Sequence, residues 1–556
     1  MGLRVSMFAG VLCAVLFASS PEVHFVDIAA KTGLTLPNVY GGRAQKDFIL
    51  ETTGNGVAIF DYDGDGRNDV LITNGTTLNA SPGRPASAVH LYRNEGGGKL
   101  SEVGRKAGFT VEGWAQGVCI GDYNNDGRPD ALITYYGHNR LYRNDGGKFE
   151  DVTAAVKLPA SGMRYGSGCT FIDYDRDGNL DLFVSNYVDL DLAKTPKPGS
   201  ANTCKWKGID VMCGPRGLPK ASNALYHNNG DQTFTDVSER AGILKPGGRY
   251  ALGVVAADFD DDGWPDLYVA CDMTPSLLLR NLGNGTFEER GVESGVAYNV
   301  DGQLQAGMGI AVADYDGDGR LDIAKTNFSG DLPSLFRNED GKFFTDLARE
   351  AGLSKHQLLG WGIAFLDVDD DGWRDLVIAN GHVYPEVERS PVGDEYLQPT
   401  LLYRNLGNGR FEDITAAAGP GFATPRPARG LATGDLDGDG RPEIVIVNMN
   451  ETPSVLKNDI PRGNFISIRA VGTKSNRSAI GARVTVRAGG RTQVDEVVSG
   501  TSFYSNNEPA LHFGLGTAAK VDKLEIRWPG GARQEWMDIP VNQTVVATEG
   551  RPALGH

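Results

Sequence analysis

The sequence predicts an all-β fold: a seven-bladed β-propeller closed by its N-terminal strand, followed by a small, sandwich-like β-rich C-terminal domain. Three observations lead to this prediction. A short aspartate-rich loop recurs seven times, the same order of short strands surrounds each copy, and the copies end before residue 461. The chain of 556 residues also contains 74 glycines. Glycine in this abundance, without a collagen-like period, indicates many tight turns between short strands.

The seven loops begin between 51 and 85 residues apart and share one pattern of acidic residues around a central glycine. They read DYDGDGRND (61–69), DYNNDGRPD (122–130), DYDRDGNLD (173–181), DFDDDGWPD (258–266), DYDGDGRLD (314–322), DVDDDGWRD (367–375) and DLDGDGRPE (435–443). A glycine precedes each loop by five residues: Gly56, Gly117, Gly168, Gly253, Gly309, Gly362 and Gly430. Because a missing side chain permits close approach of two backbones, we expect these glycines where the innermost strands crowd at the axis.

Two further strand signatures follow each loop and indicate how the ring closes. One is LYRN or a variant of it, at 91–94, 141–144, 225–228, 278–281, 335–338, 402–405 and 455–458. The other resembles F-x-D and is separated from the first by Gly/Asn turns, which are a strong hairpin signal. The last repeat lacks this fourth strand, whereas FVDI (25–28) precedes the first loop. The N-terminal strand is therefore predicted to complete the seventh sheet, because an open row would leave exposed edges.

The loops carry the ligand pattern of calcium sites. Oxygen-bearing side chains stand at positions 1, 3, 5 and 9, glycine at position 6 permits a sharp bend, and position 7 offers its backbone carbonyl. The predicted ligands are Asp61, Asp63, Asp65, Arg67 and Asp69; Asp122, Asn124, Asp126, Arg128 and Asp130; Asp173, Asp175, Asp177, Asn179 and Asp181; Asp258, Asp260, Asp262, Trp264 and Asp266; Asp314, Asp316, Asp318, Arg320 and Asp322; Asp367, Asp369, Asp371, Trp373 and Asp375; and Asp435, Asp437, Asp439, Arg441 and Glu443.

Up to seven Ca²⁺ ions with a structural role are expected. An EF-hand would need a glutamate at position 12 and a helix after the loop, but an apolar residue or lysine stands there and a strand follows. A single loop of this kind could be a plain solvated turn, whereas seven in one frame favour metal binding. Asn124 and Glu443 depart from the pattern but keep an oxygen, so we expect them to change affinity rather than abolish binding.

The first twenty residues are predicted to be a cleaved secretory signal. Arg4 supplies a positive charge, residues 7–18 form an apolar run too short for a membrane-spanning helix, and Ala18 and Ser20 are small. The protein is therefore expected to be secreted, to the extracellular space or the periplasm, with no membrane span. The predicted domains are the signal (1–20), the propeller (21–460), the β-rich domain (461–550) and a tail (551–556).

Cys204 and Cys213 lie in a Pro/Gly/Lys-rich insertion after the third loop. A disulfide between them is predicted. Zinc is the alternative, although no second cysteine pair or histidine cluster lies nearby in the sequence. Cys119, Cys169 and Cys271 lie in apolar strand-like runs and are expected to be small buried hydrophobes.

Several segments resemble known families. The aspartate loops, with their preceding Gly-apolar strands, resemble FG-GAP/VCBS repeats such as those of integrin α-subunit propellers. SNRSAIGARV (475–484), SGTSFYSNNEPALHFGLG (499–516) and RWPGG (527–531) closely resemble the ASPIC/UnbV domain, and NGHVYP (380–385) and CGPRGLP (213–219) resemble segments of the cartilage acidic protein family. This resemblance implies a secreted, calcium-binding propeller with the C-terminal domain attached.

The net charge of −17 argues against nucleic acid as a partner, because phosphate binding needs clustered positive charge. Two function classes remain. The first is an exported interaction or adhesion module for an extracellular protein or glycan. The alternative is an exported enzyme acting on a polysaccharide or secondary metabolite at the propeller channel. Its candidate residues are His382 and His512, with Asn476 and Arg477 as further possible ligand contacts, whereas exposed Trp264 and Trp373 would favour stacking on sugars or a partner.

Overall fold

A computed structural model describes residues 23–78, 89–389, 393–460 and 463–555. The predicted signal, residues 1–20, lies outside them. The all-β propeller class with a β-rich C-terminal module is confirmed. Helices in the described residues are short: α1 (Ala29–Thr32), α2 (Gly104–Ala107) and four 3₁₀ turns at Ile49–Glu51, Pro385–Arg389, Thr415–Ala417 and Pro420–Phe422.

The propeller strands of the described residues pair antiparallel into five four-stranded sheets and one eight-stranded sheet, in which residues 164–165 pair with residues 136–137. Each aspartate loop has its own group of four strands, and we call these groups blades 1 to 7. The first strand of the chain, β1 (Phe25–Asp27), belongs to blade 7. Blade 1 comprises β2 (Val57–Phe60), β3 (Asp69–Thr73), β4 (Val89–Gly96) and β5 (Lys99–Glu102); blade 2, β6 (Trp114–Gly121), β7 (Asp130–Gly137), β8 (Arg140–Asn144) and β9 (Phe149–Asp151); blade 3 begins with β10 (Arg164–Ile172) and β11 (Asp181–Asn186), is interrupted by a hairpin of β12 (Cys204–Trp206) and β13 (Ile209–Val211), and ends with β14 (Ala224–Asn228) and β15 (Phe234–Asp236).

The remaining blades follow in chain order. Blade 4 comprises β16 (Ala251–Ala257), β17 (Asp266–Cys271), β18 (Leu277–Asn281) and β19 (Phe287–Glu289); blade 5, β20 (Ile310–Ala313), β21 (Asp322–Lys325), β22 (Ser334–Asn338) and β23 (Phe344–Asp346); blade 6, β24 (Gly360–Leu366), β25 (Asp375–Asn380), β26 (Leu401–Asn405) and β27 (Phe411–Asp413); blade 7, β28 (Ala428–Gly434), β29 (Glu443–Asn448) and β30 (Ser454–Asn458), with β1.

The blades form a closed ring. Strand β1 pairs antiparallel with β30, with Val26 opposite Lys457, so the N-terminal strand completes the blade that the last repeat leaves unfinished. The innermost strands β2, β6, β10, β16, β20, β24 and β28 contact one another in this order, and β28 contacts β2. The inner strand of each blade is therefore flanked on both sides by the inner strands of its neighbours, which an open row of blades would not achieve.

The glycines before the loops lie where neighbouring inner strands come closest. At six of the seven, a Cβ atom would lie less than 3.0 Å from an atom of the next blade or of the segment leading into it. At Gly56 it would lie that close to the carbonyl oxygen of Tyr504 in the C-terminal module, and 3.2 Å from that of Gln116 in the next blade. The carbonyl oxygens that face them belong to Gln116, Ser167, Leu252, Met308, Trp361, Arg429 and Asn55, in blade order. Register shifts in β6, β10, β16, β24 and β28 place several of these glycines within β-bulges. The expectation that they permit close backbone approach agrees with this geometry.

The C-terminal module contains two sheets. One is ordered β34 (Leu511–Gly516), β31 (Asn464–Val471) and β37 (Gln543–Thr548); the other is ordered β33 (Arg491–Glu496), β32 (Arg483–Ala488), β35 (Lys520–Arg527) and β36 (Arg533–Pro540). Its buried residues, Trp528 and Phe513 among them, belong to one apolar cluster with Phe171 and Leu180 of blade 3. The module therefore packs directly onto the ring.

Replacing Gly430 with alanine tests the closure of the ring. The new Cβ would meet the carbonyl oxygen of Asn55, which belongs to the segment leading into blade 1. We expect G430A to lower the free energy of unfolding by about 1–3 kcal/mol, as overpacking of a tight contact does. The measurement is thermal and urea unfolding, with G555A as control because its Cβ meets only ordinary van der Waals contacts. Equal stability of the two variants would contradict this account.

Candidate metal centres and the filled channel

The seven aspartate loops leave the C-terminal ends of the inner strands, so they all lie at one end of the ring. The carboxylate at position 1 shapes each loop by accepting backbone N–H groups from later residues. Asp314 shows this fully: its Oδ1 accepts from Gly317 and Asp318 at 2.9 and 3.0 Å, and its Oδ2 accepts from Gly319 at 2.9 Å. The position 5 carboxylate in turn accepts the N–H of position 7 in all seven loops.

The acidic residue at position 9 ties each loop to its own blade. In blade 1, Asp69 Oδ2 accepts the N–H of Tyr62 at 2.9 Å, and its Oδ1 accepts the N–H of Asn94 at 2.7 Å. In blade 7 the longer Glu443 accepts from the N–H of Leu436 and from the Lys457 ammonium. The acidic residue at position 9 therefore accepts backbone hydrogen bonds in addition to being a predicted metal ligand.

The asparagine that ends each third strand links neighbouring blades, a role that the sequence analysis did not assign. Its Nδ2 donates to the carbonyl oxygen at position 2 of the preceding loop, at 2.7–2.9 Å in every blade. The pairs are Asn94 with Leu436, Asn144 with Tyr62, Asn228 with Tyr123, Asn281 with Tyr174, Asn338 with Phe259, Asn405 with Tyr315, and Asn458 with Val368. The first pair joins blade 1 to blade 7, so the hydrogen bonds run around the whole ring. The sequence signal for this role was the asparagine that recurs at the end of every LYRN-type segment.

Carboxylate oxygens converge in these loops closely enough to hold a cation. Clusters whose ligand atoms lie within 4.8 Å of one another include Asp61–Asp63–Asp69, Asp173–Asp175–Asp177, Asp258–Asp260–Asp262 and Asp314–Asp316–Asp322. Buried oxygens of Asp63, Asp173, Asp175, Asp260 and Asp369 have no hydrogen-bond partner in the described structure. Hard carboxylate oxygens left without donors are what Ca²⁺ prefers, so the donor set fits a divalent cation.

The same burial makes these carboxylates costly to ionise. Burial, together with the other carboxylates of each loop, raises the pKa of Asp69, Asp173 and Asp314 to about 7. Burial also raises the pKa of Asp181 and Glu443 to about 8. A bound cation would relieve both effects, because it favours the charged form of every carboxylate around it.

The basic residue of the third strand flanks position 3 in several blades. Arg93 Nε lies 2.6 Å from Asp63 Oδ2, and Arg404 Nε lies 3.2 Å from Asp369 Oδ2. Blade 3 differs, because His227 occupies this place with its Nδ1 3.3 Å from Asp175 and 3.2 Å from Asp181. The C-terminal module also contacts these loops: Arg527 Nη2 lies 2.6 Å from Asp258, and His512 Nε2 lies 2.7 Å from Asp370.

A loop of the C-terminal module fills the centre of the ring. Residues 499–508, which we call the plug, hydrogen-bond to the inner strands of blades 1, 2, 3, 5, 6 and 7. Ser502 exchanges two backbone bonds with Ile310, Asn506 donates to Val57, and Tyr504 accepts from Val118. Further bonds join Ser499 to Ile120 and Thr170, Ser502 to Ile363, and Glu508 to Thr433. The module therefore reaches into the channel from the end that carries the loops.

The tip of the plug is aromatic and fully packed. Phe503 and Tyr504 stack with their ring centroids 4.0 Å apart, and Phe503 contacts Trp361 edge-on at 4.7 Å. Phe503 is 0% exposed and Tyr504 3%. A substrate could not occupy the axis at this level without displacing the plug.

At the other end of the ring, the insertion of blade 3 folds over the channel mouth. The predicted disulfide between Cys204 and Cys213 is present and closes the β12–β13 hairpin. Trp206 of this hairpin packs against Phe328, His382 and Tyr384, with centroid distances of 5.4, 5.8 and 6.0 Å. Cys119, Cys169 and Cys271 are buried free thiols, as expected.

The structure gives structural partners to the other candidate residues. His382 is 0% exposed and accepts the N–H of Tyr384 at Nδ1, and burial lowers its pKa to about 4. Asn476 caps its own loop through two bonds with Ile480. Trp264 and Trp373 are half-buried, and the guanidinium groups of Arg176 and Arg491 cover their rings at 4.9 and 4.0 Å. These two indoles are therefore not open stacking platforms.

Sequence comparisons match two families. The FG-GAP-like repeat profile matches residues 61–133, 122–184, 209–269, 258–324 and 367–446, which together cover more than half of the chain. The ASPIC and UnbV profile matches residues 472–553. Among the described residues, no helix is long and apolar enough to cross a membrane.

Curated relatives and solved structures are similar at low identity. Cartilage acidic protein 1 of Xenopus tropicalis is 25% identical over 512 residues, covering 86% of this chain and 70% of that protein. Integrin alpha-4 of Xenopus laevis is 24% identical over 303 residues, covering 47% and 28%. A solved structure of an Agrocybe aegerita lectin that recognises non-reducing terminal N-acetylglucosamine is 17% identical with a TM-score of 0.35, covering 65% of this chain and 79% of that chain.

Removing one inter-blade asparagine tests its structural role. In Asn405→Ala, the carbonyls of Tyr315 and Arg374 and the N–H of Gly407 lose their partner in a buried setting. Because an unsatisfied buried polar group costs about 1–3 kcal/mol, we expect a loss of at least about 2 kcal/mol in the free energy of unfolding. Chemical denaturation measures it. The matched control is Asn408→Ala, an exposed residue three positions on, and equal losses in both variants would contradict the proposed link.

The raised pKa values predict how the ion-free protein responds to pH. Between pH 4 and 8 the folded state holds more protons on Asp69, Asp173 and Asp314 than the unfolded chain does, because their folded pKa is about 7. Their contribution to stability is therefore complete below pH 4 and is lost as pH rises through 7. With a chelator present, we expect the Tm to rise as pH falls from 8 to 6. Asp314→Asn should flatten this slope and exposed Asp301→Asn should not; an unchanged slope in D314N would contradict the assignment.

Proposed function

Because the chain belongs to the FG-GAP-like repeat family and carries a C-terminal ASPIC and UnbV domain, we propose that it is an exported calcium-binding interaction module. In this proposal the propeller recognises an extracellular protein or glycan, and calcium has a structural role. The observation that carries the proposal is the sevenfold recurrence of one acidic loop frame around a closed ring, with buried carboxylate oxygens that have no hydrogen-bond partner in the loops of blades 1, 3, 4 and 6.

Calcium would be held by the side chains at positions 1, 3 and 5 of each loop, together with the carbonyl at position 7 and the carboxylate at position 9. It would supply positive charge to carboxylates that the fold buries together. The loops need that charge most where basic neighbours are few. In most blades the predicted ligand atoms are all oxygens, whereas in blade 3 His227 places a ring nitrogen beside the site. We therefore expect blade 3 to differ from the other blades in affinity.

Several observations support export. The predicted signal at residues 1–20, the Cys204–Cys213 disulfide and the similarity to cartilage acidic protein 1 agree with one another. Disulfides persist in oxidising compartments and are rare in the cytosol. We also propose that the mature chain divides into the propeller (21–460), the C-terminal domain (461–550) and a short tail (551–556), with the plug as the part of the second domain that enters the first.

The enzyme alternative loses support from the filled channel. That alternative places the substrate in the propeller channel, and here the plug occupies the axis from the loop end to the aromatic pair Phe503–Tyr504. Its candidate histidines also have structural partners, since His382 bonds to backbone and His512 pairs with Asp370. Recognition through the outer faces of the ring requires no opening of the channel.

Chelation tests the structural role of calcium. Transferring the protein from calcium to a chelator should lower the Tm markedly, because each site held at 100 times its Kd contributes about 2.7 kcal/mol. Titrating calcium back should restore the Tm and release heat in calorimetry, and magnesium should not substitute at equal concentration. An unchanged melt on chelation would refute structural calcium without affecting the assignment of the fold.

The interaction role is tested with the same full-length protein, immobilised and screened against a glycan array and a panel of purified extracellular matrix proteins. We expect saturable binding in calcium that is lost in chelator together with the folded ring. The oxidised and reduced forms of the protein provide a control for the insertion. Binding to no ligand, combined with turnover of a polysaccharide, would instead support the enzyme alternative.

A further inference from the structure

A cavity of about 240 Å³ lies at the end of the channel opposite the aspartate loops. Its floor is built by Leu252, Met308 and Trp361 at the N-terminal ends of inner strands, where the aromatic tip of the plug closes the axis. Its roof is the disulfide-closed insertion, which contributes Trp206 and Met212. Neither the loops nor the proposed calcium ions line it, so its chemistry is independent of theirs.

One carboxylate, that of Asp272, lines this mostly apolar cavity. Asp272 directly follows β17 and is half-buried. Its Oδ2 accepts the phenol hydrogen of Tyr187, and within the described residues no cationic side chain pairs with it. Burial raises its pKa to about 6, so at pH 7.5 it is mostly ionised and lacks a counter-ion. A partly buried charge without a counter-ion is unfavourable, and a cationic ligand would supply that counter-ion.

The walls are aromatic. Trp206, Phe328, Trp361 and Tyr384 line the cavity, and aromatic faces attract cations that have lost part of their hydration shell. A few convergent polar groups in an apolar cavity of this size are typical of small-molecule sites. Most of the remaining lining is apolar, and the hydroxyls of Thr52, Thr53 and Tyr187 are already hydrogen-bonded within the protein. The site therefore offers little hydrogen bonding to a neutral polyol.

Nearby cations are engaged elsewhere. Arg429 stacks under Trp361 at 4.2 Å and donates to the carbonyls of Thr52 and His382, outside contact with Asp272. Lys207 is paired with Asp394. Arg216 lies at the rim and is exposed, so water and salt screen its charge. None of the three neutralises the carboxylate.

From this geometry we propose that the cavity is a binding site for a small organic ammonium ion, with Asp272 as the counter-ion and Trp206, Phe328 and Tyr384 enclosing the hydrocarbon part. The ligand would be a primary or methylated ammonium on an apolar group, either free or as the end of a lysine side chain. The hairpin of the insertion would then be part of a binding site and not only a cover.

The test compares two probes that differ in charge and little in shape, benzylammonium and benzyl alcohol. Full-length protein is kept in calcium at pH 7.5, and binding is measured by calorimetry and by saturation-transfer NMR. We expect benzylammonium to bind at least tenfold more tightly than benzyl alcohol. Equal affinities, or binding of neither probe, would overturn the proposal, and this comparison needs no variant.

Variants then locate the site. Asp272→Asn keeps the shape of the side chain and the hydrogen bond to Tyr187. It should therefore lower the affinity for benzylammonium at least tenfold and the affinity for benzyl alcohol less than twofold. Trp206→Leu changes the roof of the cavity and should lower the affinity for benzylammonium more than threefold. This variant tests the proposal if D272N does not fold. Exposed Asp301→Asn is the charge-matched control. Loss of affinity in D301N equal to that in D272N would mean non-specific attraction to an acidic protein and would overturn the assignment.

Discussion

The fold depends on a closed circuit of contacts between neighbouring blades. Each inner-strand glycine admits the carbonyl of the next blade, and each third-strand asparagine donates to the loop of the preceding blade. These two sets of contacts run in opposite directions around the ring, one near the axis and the other beside the loops. A blade cannot shift alone, because its glycine and its asparagine bind it to two different neighbours. The acidic loops can therefore be buried at fixed spacing, where their mutual repulsion would otherwise spread them apart.

The C-terminal module is part of the same circuit. Its plug bonds to the inner strands of six blades, and Arg527, Arg374 and His512 join it to the loops. The arrangement supplies positive charge to an acidic face and polar partners to strand edges that face the channel. It also explains why the module's conspicuous sequence, SGTSFYSNNEP, is rich in small and polar residues: they bond to inner strands at six places in a narrow space, and only the two aromatic residues fill volume.

Local patterns in the sequence were sufficient to predict much of this structure. The repeat order predicted the propeller class, and the odd position of FVDI agrees with the pairing of β1 with β30. The Cys204–Cys213 pair also followed from local sequence. Contacts between distant segments were not predictable in this way. The sequence around Tyr504 does not indicate that its carbonyl accepts a hydrogen bond from Val118. Likewise, the sequence predicts an exposed Trp264, whereas in the structure the Arg176 guanidinium covers its ring. The asparagines fall between these cases, because their recurrence was visible but their partners lie in the preceding repeat.

The plug and the insertion together divide the channel into unequal parts. From the loop end, the plug fills the axis with hydrogen-bonded backbone as far as Phe503 and Tyr504. From the opposite end, the insertion covers the mouth with Trp206 but leaves the cavity beneath it, where Asp272 stands without a counter-ion. Trp206 and Met212 of the disulfide-closed insertion therefore line the space that a ligand would occupy at this end. A covalent bond closes the hairpin, so the hairpin covers the cavity with a fixed shape. The size of the cavity and the charge of Asp272 on its wall would then determine which ligands bind.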